Sequence, residues 1–132
     1  TTTGLRTYEF VSWWLTQYQI PSSEIAIASK KIIQVVMQKV DAKPEPMPGV
    51  AQVLQYCLGK GFKMGIASSS PIELIDLVVQ KLGIGQCFQT LTSAEHLPFG
   101  KPHPDVYLQC ARELNSIATN CIAFEDSFNG MI

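Results

Sequence analysis

Charge is sparse in these 132 residues: 16% are Asp, Glu, Lys or Arg, the formal net charge is −1, and no long run of one sign occurs. Such a chain carries no electrostatic footprint for nucleic acid or for an anionic membrane, so neither is an expected partner. Apolar stretches such as Ile32-Ile33 with Val35-Val36-Met37 break off well short of the roughly 20 residues a membrane helix needs. Residues Thr1 to Arg6 have neither the charged start nor the apolar middle of a signal peptide, and they read as a chain entered mid-protein. Cys57, Cys87, Cys110 and Cys121 form no Cys-x-x-Cys and mostly sit in apolar patterns. They are expected to be thiols of a soluble protein in a reducing cytoplasm, not disulfides or zinc ligands. No Gly-x-Gly-x-x-Gly follows a strand, which sets aside a dinucleotide-binding domain. No Asp-x-Asp occurs anywhere.

What remains is 46% hydrophobic, enough for a globular fold. Tyr8, Val11, Trp14, Leu15 and Tyr18 recur at helical spacing and stop before Pro21. Ile25, Ala28, Ile32, Val35, Val36 and Val40 share one face of a second helix, which Ser22 or Ser23 can cap. Residues 7–41 are therefore a predicted helical pair, with Tyr8, Phe10, Trp13 and Trp14 as its apolar interior. Three prolines between Pro44 and Pro48 forbid a helix and mark a domain boundary.

Beyond the boundary, helix and strand patterns alternate. A helix over Val50–Leu58 ends at Gly59 or Gly61, and the apolar run Phe62–Ala67 reads as a strand. Pro71 opens a helix through Leu82 that Gly83 stops. Phe88–Thr92 reads as a second strand, Pro104–Leu114 as a helix and Cys121–Phe124 as a third strand. The predicted class is α/β with a parallel sheet, where sites gather at the carboxyl ends of the strands.

Three such ends carry chemistry. Ser68 and Ser69 lie between a strand and a helix N-terminus, a place that attracts phosphate; alternatively they only cap that helix. Lys101, fixed between Gly100 and Pro102, can neutralise a phosphoryl oxygen or stand solvated. Glu125 and Asp126 suit Mg²⁺, which takes oxygen ligands, or one of them caps the helix near Ser127. His103, set between two prolines, reads as an orienting or packing residue and not as a general base.

In their order, Ala67-Ser68-Ser69-Ser70, the stretch from Ser93 to Pro104 around Gly100-Lys101-Pro102, and Glu125-Asp126-Ser127-Phe128-Asn129-Gly130-Met131 resemble three signature motifs of the haloacid dehalogenase superfamily. The likeness is to its sugar-phosphate phosphatases, relatives of β-phosphoglucomutase. The resemblance implies an α/β Rossmannoid core over 48–132 and a partial α-helical cap over 1–47. It implies that Ser68 and the Ser69 N–H hold phosphoryl oxygens, that Lys101 stabilises charge as the catalytic lysine, and that Asp126 with Glu125 holds Mg²⁺. Arg6, in Gly4-Leu5-Arg6, matches a substrate-facing cap segment. The family's nucleophile and general acid and base are the two aspartates of an Asp-x-Asp motif. These are expected before Thr1, on a central strand whose absence leaves a gap in the sheet. The expected substrate is a small phosphorylated sugar or polyol, and the complete protein is expected to be a monomer. A phosphomutase and a non-catalytic phosphate-binding or partner-binding fragment are the alternatives.

Overall fold

A computed structural model describes all 132 residues. Two helices come first, α1 (Thr7–Gln17) and α2 (Glu24–Ala42), packed against each other. The Arg6 backbone N–H donates to the Glu9 carboxylate, a capping-box bond that starts α1. After the proline-rich stretch, in which no element forms, come α3 (Val50–Gly59), β1 (Gly65–Ser68), α4 (Ile72–Leu82), β2 (Thr90–Ser93), α5 (Asp105–Glu113) and α6 (Phe128–Met131). The periodicity placed these helices within a residue or two.

β1 and β2 pair in parallel, Gly65 with Thr90 through Ser68 with Ser93. Helix α5 packs on both strands, while α4 packs on β2 and also meets α2. Val106, Cys110 and Ala111 of α5, Ile75 and Val79 of α4, and Ala94 form the buried centre. The side of α5 facing β2 is stitched by Glu113, whose carboxylate accepts the hydroxyls of Thr90 and Thr92. Those two threonines alternate along the strand and so share a face. Burial pushes the Glu113 carboxyl up, but these hydrogen bonds outweigh it and hold its pKa below the ordinary value.

Four expectations are corrected. Cys121–Phe124 is not a strand: the sheet has two strands only, and Ile122 and Phe124 are each 85% exposed. A strand exists only where another backbone accepts its hydrogen bonds, and nothing pairs with this segment. The same rule shortens the first strand to Gly65–Ser68 and moves the second to Thr90–Ser93, because only these residues face one another. Third, the aromatics of α1 are not an interior. Tyr8, Trp13 and Trp14 are exposed, Trp14 meeting Trp13 edge-on and stacking on Tyr18, because α1 has α2 as its main neighbour and buries only Val11. Likewise, Ile32, Val35 and Val36 of α2 stay exposed while Ile25 is buried. Fourth, the apolar pattern around the cysteines does not bury all of them. All four are free thiols, with Cys87 and Cys110 buried and Cys121 exposed. No helix is long and apolar enough to cross a membrane.

Candidate active site

At the carboxyl ends of β1 and β2 the chain encloses a polar cavity of about 430 Å³. Ser68, Ser69, Lys101, Glu125 and Asp126 all line it. Residues from three segments far apart in the sequence thus meet at one place. The N-terminal wall comes from Thr3, Gly4 and Leu5.

Each group is positioned differently. The Ser68 hydroxyl accepts the Ser70 N–H at 3.1 Å, closing the turn after β1 and leaving its own proton free for an anion in the cavity. Ser69 donates its hydroxyl to the Gly4 carbonyl at 2.7 Å, so its side chain holds the N-terminal wall. Neither serine caps α4. The Ile72 N–H at that helix start points to the Glu95 carboxylate at 3.4 Å. Ser93 braces the same turn by donating to the Ser70 carbonyl.

Lys101 is 6% exposed. Its ammonium lies 2.5 Å from Glu125 Oε2, and the Glu125 side chain is only 13% exposed. The Tyr107 hydroxyl donates to the same oxygen at 2.6 Å. Glu125 Oε1 accepts the Ser127 N–H at 2.9 Å and the Ser127 hydroxyl. Burial alone would raise the Glu125 pKa, but Lys101, Ser127 and Tyr107 outweigh it and lower it to about 2. Burial likewise disfavours the Lys101 ammonium, yet Glu125 and Tyr107 leave its pKa above the ordinary value. The lysine is therefore a fixed cation at neutral pH, with donors left over for an anion.

Helix α6 is capped by Ser127, whose hydroxyl accepts the Gly130 N–H, so neither Glu125 nor Asp126 takes that role. Asp126 makes no side-chain hydrogen bond or ion pair and lines the cavity next to Glu125. The structure has no cluster of three or more His, Cys, Asp or Glu side chains that could hold a metal. Asp126, unpaired on the cavity wall, fits a hard cation that completes its shell with water and substrate oxygens, while Glu125 is already saturated by four donors.

Arg6 is not brought to this cavity. Its guanidinium donates to Glu9 at 2.9 Å and to the Leu97 carbonyl at 2.9 Å, tying the start of α1 to the 94–97 loop. It lines a second hollow with Phe99 and His103, which stack at 4.7 Å. Tyr107 escaped the sequence reading, and Ser127 and Asn129 stood in the third motif without a site role. Asn129 donates its amide to the carbonyls of Thr1 and Thr3, pinning the N-terminal wall. Only their spacing from Lys101 and Glu125 on short helices hinted at them.

Fold and site together define an α/β chain with a lysine-bearing polar cleft at the ends of parallel strands. The chain belongs to the haloacid dehalogenase-like hydrolases, whose family profile matches residues 9–132. It is 35% identical to hexitol phosphatase B of Escherichia coli (strain K12) across 99% of this chain and 59% of that protein. It is 30% identical to fructose-1-phosphate phosphatase of the same strain, across 80% of this chain and 55% of that one. The crystal structure of β-phosphoglucomutase from Clostridium difficile superposes with a TM-score of 0.82 at 24% identity, covering 98% of this chain and 60% of that one. The chain thus spans somewhat more than half the length of these relatives.

Proposed function

We propose that this chain carries the phosphate-binding and metal-binding part of a Mg²⁺-dependent phosphatase acting on a small sugar or polyol phosphate. The observation that carries the reading is the convergence of Ser68, Lys101 and Asp126 on one cavity. The substrate class rests on the likeness to hexitol phosphatase B and fructose-1-phosphate phosphatase. The phosphomutase alternative has only the shared fold behind it. Free thiols suit a reducing compartment, and we place the protein in the cytoplasm.

In this reading the Ser68 hydroxyl and the Ser69 N–H hold two phosphoryl oxygens. Lys101 offsets the negative charge that gathers on the transferring group. An aspartate outside this chain attacks phosphorus, so an aspartyl phosphate, a mixed anhydride, forms and the bond to the sugar oxygen breaks, that oxygen taking a proton from a second acid. Water then attacks phosphorus, releasing inorganic phosphate and restoring the aspartate. Asp126, beside Glu125, would hold Mg²⁺, which supplies positive charge to the phosphoryl oxygens when bound. Residues 1–47 act as part of a cap that excludes water, with 44–49 as its hinge.

The test is Mg²⁺-dependent phosphate release from a panel of hexose and hexitol phosphates. This chain is compared with a version extended upstream to include a candidate Asp-x-Asp. Turnover confined to the extended protein, and lost in its Asp126→Asn variant, is expected. Turnover by the 132-residue chain itself would refute the mechanism.

A further inference from the structure

Lys101 reaches the cavity from a loop, and a flexible four-carbon stem has no direction of its own. What fixes it is Glu125, and what fixes Glu125 includes a residue with no role so far. Tyr107 sits in the first turn of α5, six residues beyond the lysine. Its hydroxyl lies 2.6 Å from Glu125 Oε2, the same oxygen that Lys101 contacts, and 3.0 Å from the Gly130 carbonyl. Its ring presents to the Lys101 ammonium at 4.8 Å from the centroid, a cation–π distance. One side chain therefore touches the cation, its counter-ion and the backbone of α6.

The glycine at 130 makes this approach possible. A Cβ there would fall 2.2 Å from Glu125 Cδ, so any other residue would push the carboxylate out of its place. Without the phenol, Oε2 loses one of its two donors, and the carboxylate can swing about Ser127, taking the ammonium with it.

We propose that Tyr107 is a positioning residue for Lys101: its hydroxyl locks Glu125, its ring backs the ammonium, and together they aim the remaining lysine donors into the cavity. The proposal deepens the phosphatase reading and rests on it for the meaning of Lys101, but the geometry can be tested without turnover.

The experiment is competitive amine acetylation of the 132-residue chain, with the extent at each lysine read by peptide mass spectrometry. Lys101 is compared with Lys30 and Lys31 on α2. In Tyr107→Phe, which keeps the ring and removes only the hydroxyl, Lys101 labelling is expected to rise about fivefold while the reference lysines stay unchanged. Unchanged Lys101 labelling in a folded Tyr107→Phe would overturn the proposal. A second measurement needs no variant. In the unaltered chain Tyr107 is expected to resist O-acetylation that modifies the exposed Tyr8, Tyr18 and Tyr56. Reactivity equal to theirs would overturn the proposal as well. In the upstream-extended protein, Tyr107→Phe is expected to lower kcat about tenfold with KM within twofold. An unaltered extended protein with no turnover would count against the phosphatase reading alone, since the labelling decides the role of Tyr107.

Discussion

The Lys101–Glu125 pair is where acid and base should act on this fold. Glu125 is held at about 2 against an ordinary 4.5, so the unfolded chain takes up a proton before the folded one does. Its contribution is complete above 4.5 and drains away as pH falls towards 2. The shift is equivalent to about 3 kcal/mol at roughly 1.4 kcal/mol per unit. Lys101 works in the opposite sense. Its pKa is raised above 10.5, so its contribution is complete below that value and is lost only as pH rises through the higher folded value. Urea unfolding from pH 2 to 7 is expected to show a stability loss beginning below about 4.5, and Glu125→Gln should flatten that acid limb while costing about 3 kcal/mol at pH 7. An unchanged slope in the variant would show that other carboxylates govern acid unfolding. At this scale Ser68, Lys101, Glu125 and Asp126 were legible because each follows an apolar run that ends in a loop. Tyr107 and Ser127 were not, since their roles depend on α5 and α6 folding back over Glu125. Arg6 was open in the sequence, because a cation there looks the same whether it meets substrate or, as here, pairs with Glu9 and a carbonyl.

Among the elements, Gly65 leaves no room for a side chain between β1 and α5. A Cβ there would lie 2.6 Å from the Cys110 sulfur and 2.8 Å from the Thr90 methyl. Gly65→Ala is expected to cost about 1–3 kcal/mol in urea unfolding without changing the denaturant slope, since it overpacks the contact without altering the fold. A neutral effect would mean that α5 can slide away freely. The segment Cys121–Phe124 is the element the hydropathy pattern misjudged. The pattern records that these residues are apolar, and it cannot record whether another backbone lies beside them. Amide exchange distinguishes the two conditions. The N–H groups of Ile122 to Phe124 are expected to exchange fast while those of β1 and β2 are protected. Protection at 122–124 would reveal a strand partner. The helices were legible throughout, because 3.6-residue periodicity and the stops at Pro21 and Gly83 act locally.

Over the whole molecule, apolar surface is left uncovered on several sides. Trp13 on α1, Tyr18 at its end, Ile27 on α2, Tyr56 on α3, and Ile122 and Phe124 are all exposed. Patches of this kind bind other apolar surfaces. The 132-residue chain on its own is expected to bind a hydrophobic dye and to self-associate in sedimentation, against the monomer expected of a complete protein. A monodisperse monomer without dye binding would mean that these side chains find cover in solution. The cavity does not depend on that outcome, since its walls come from β1, the 99–104 loop, Glu125 with Asp126, and residues 3–5. The central claim is that this cavity receives a phosphoryl group. The direct measurement is a titration of the labelled chain with inorganic phosphate, followed through its backbone amide signals. Saturable shifts at Ser68 to Ser70 and Lys101, abolished by Lys101→Ala, are the expected result; shifts elsewhere or none at all would contradict it.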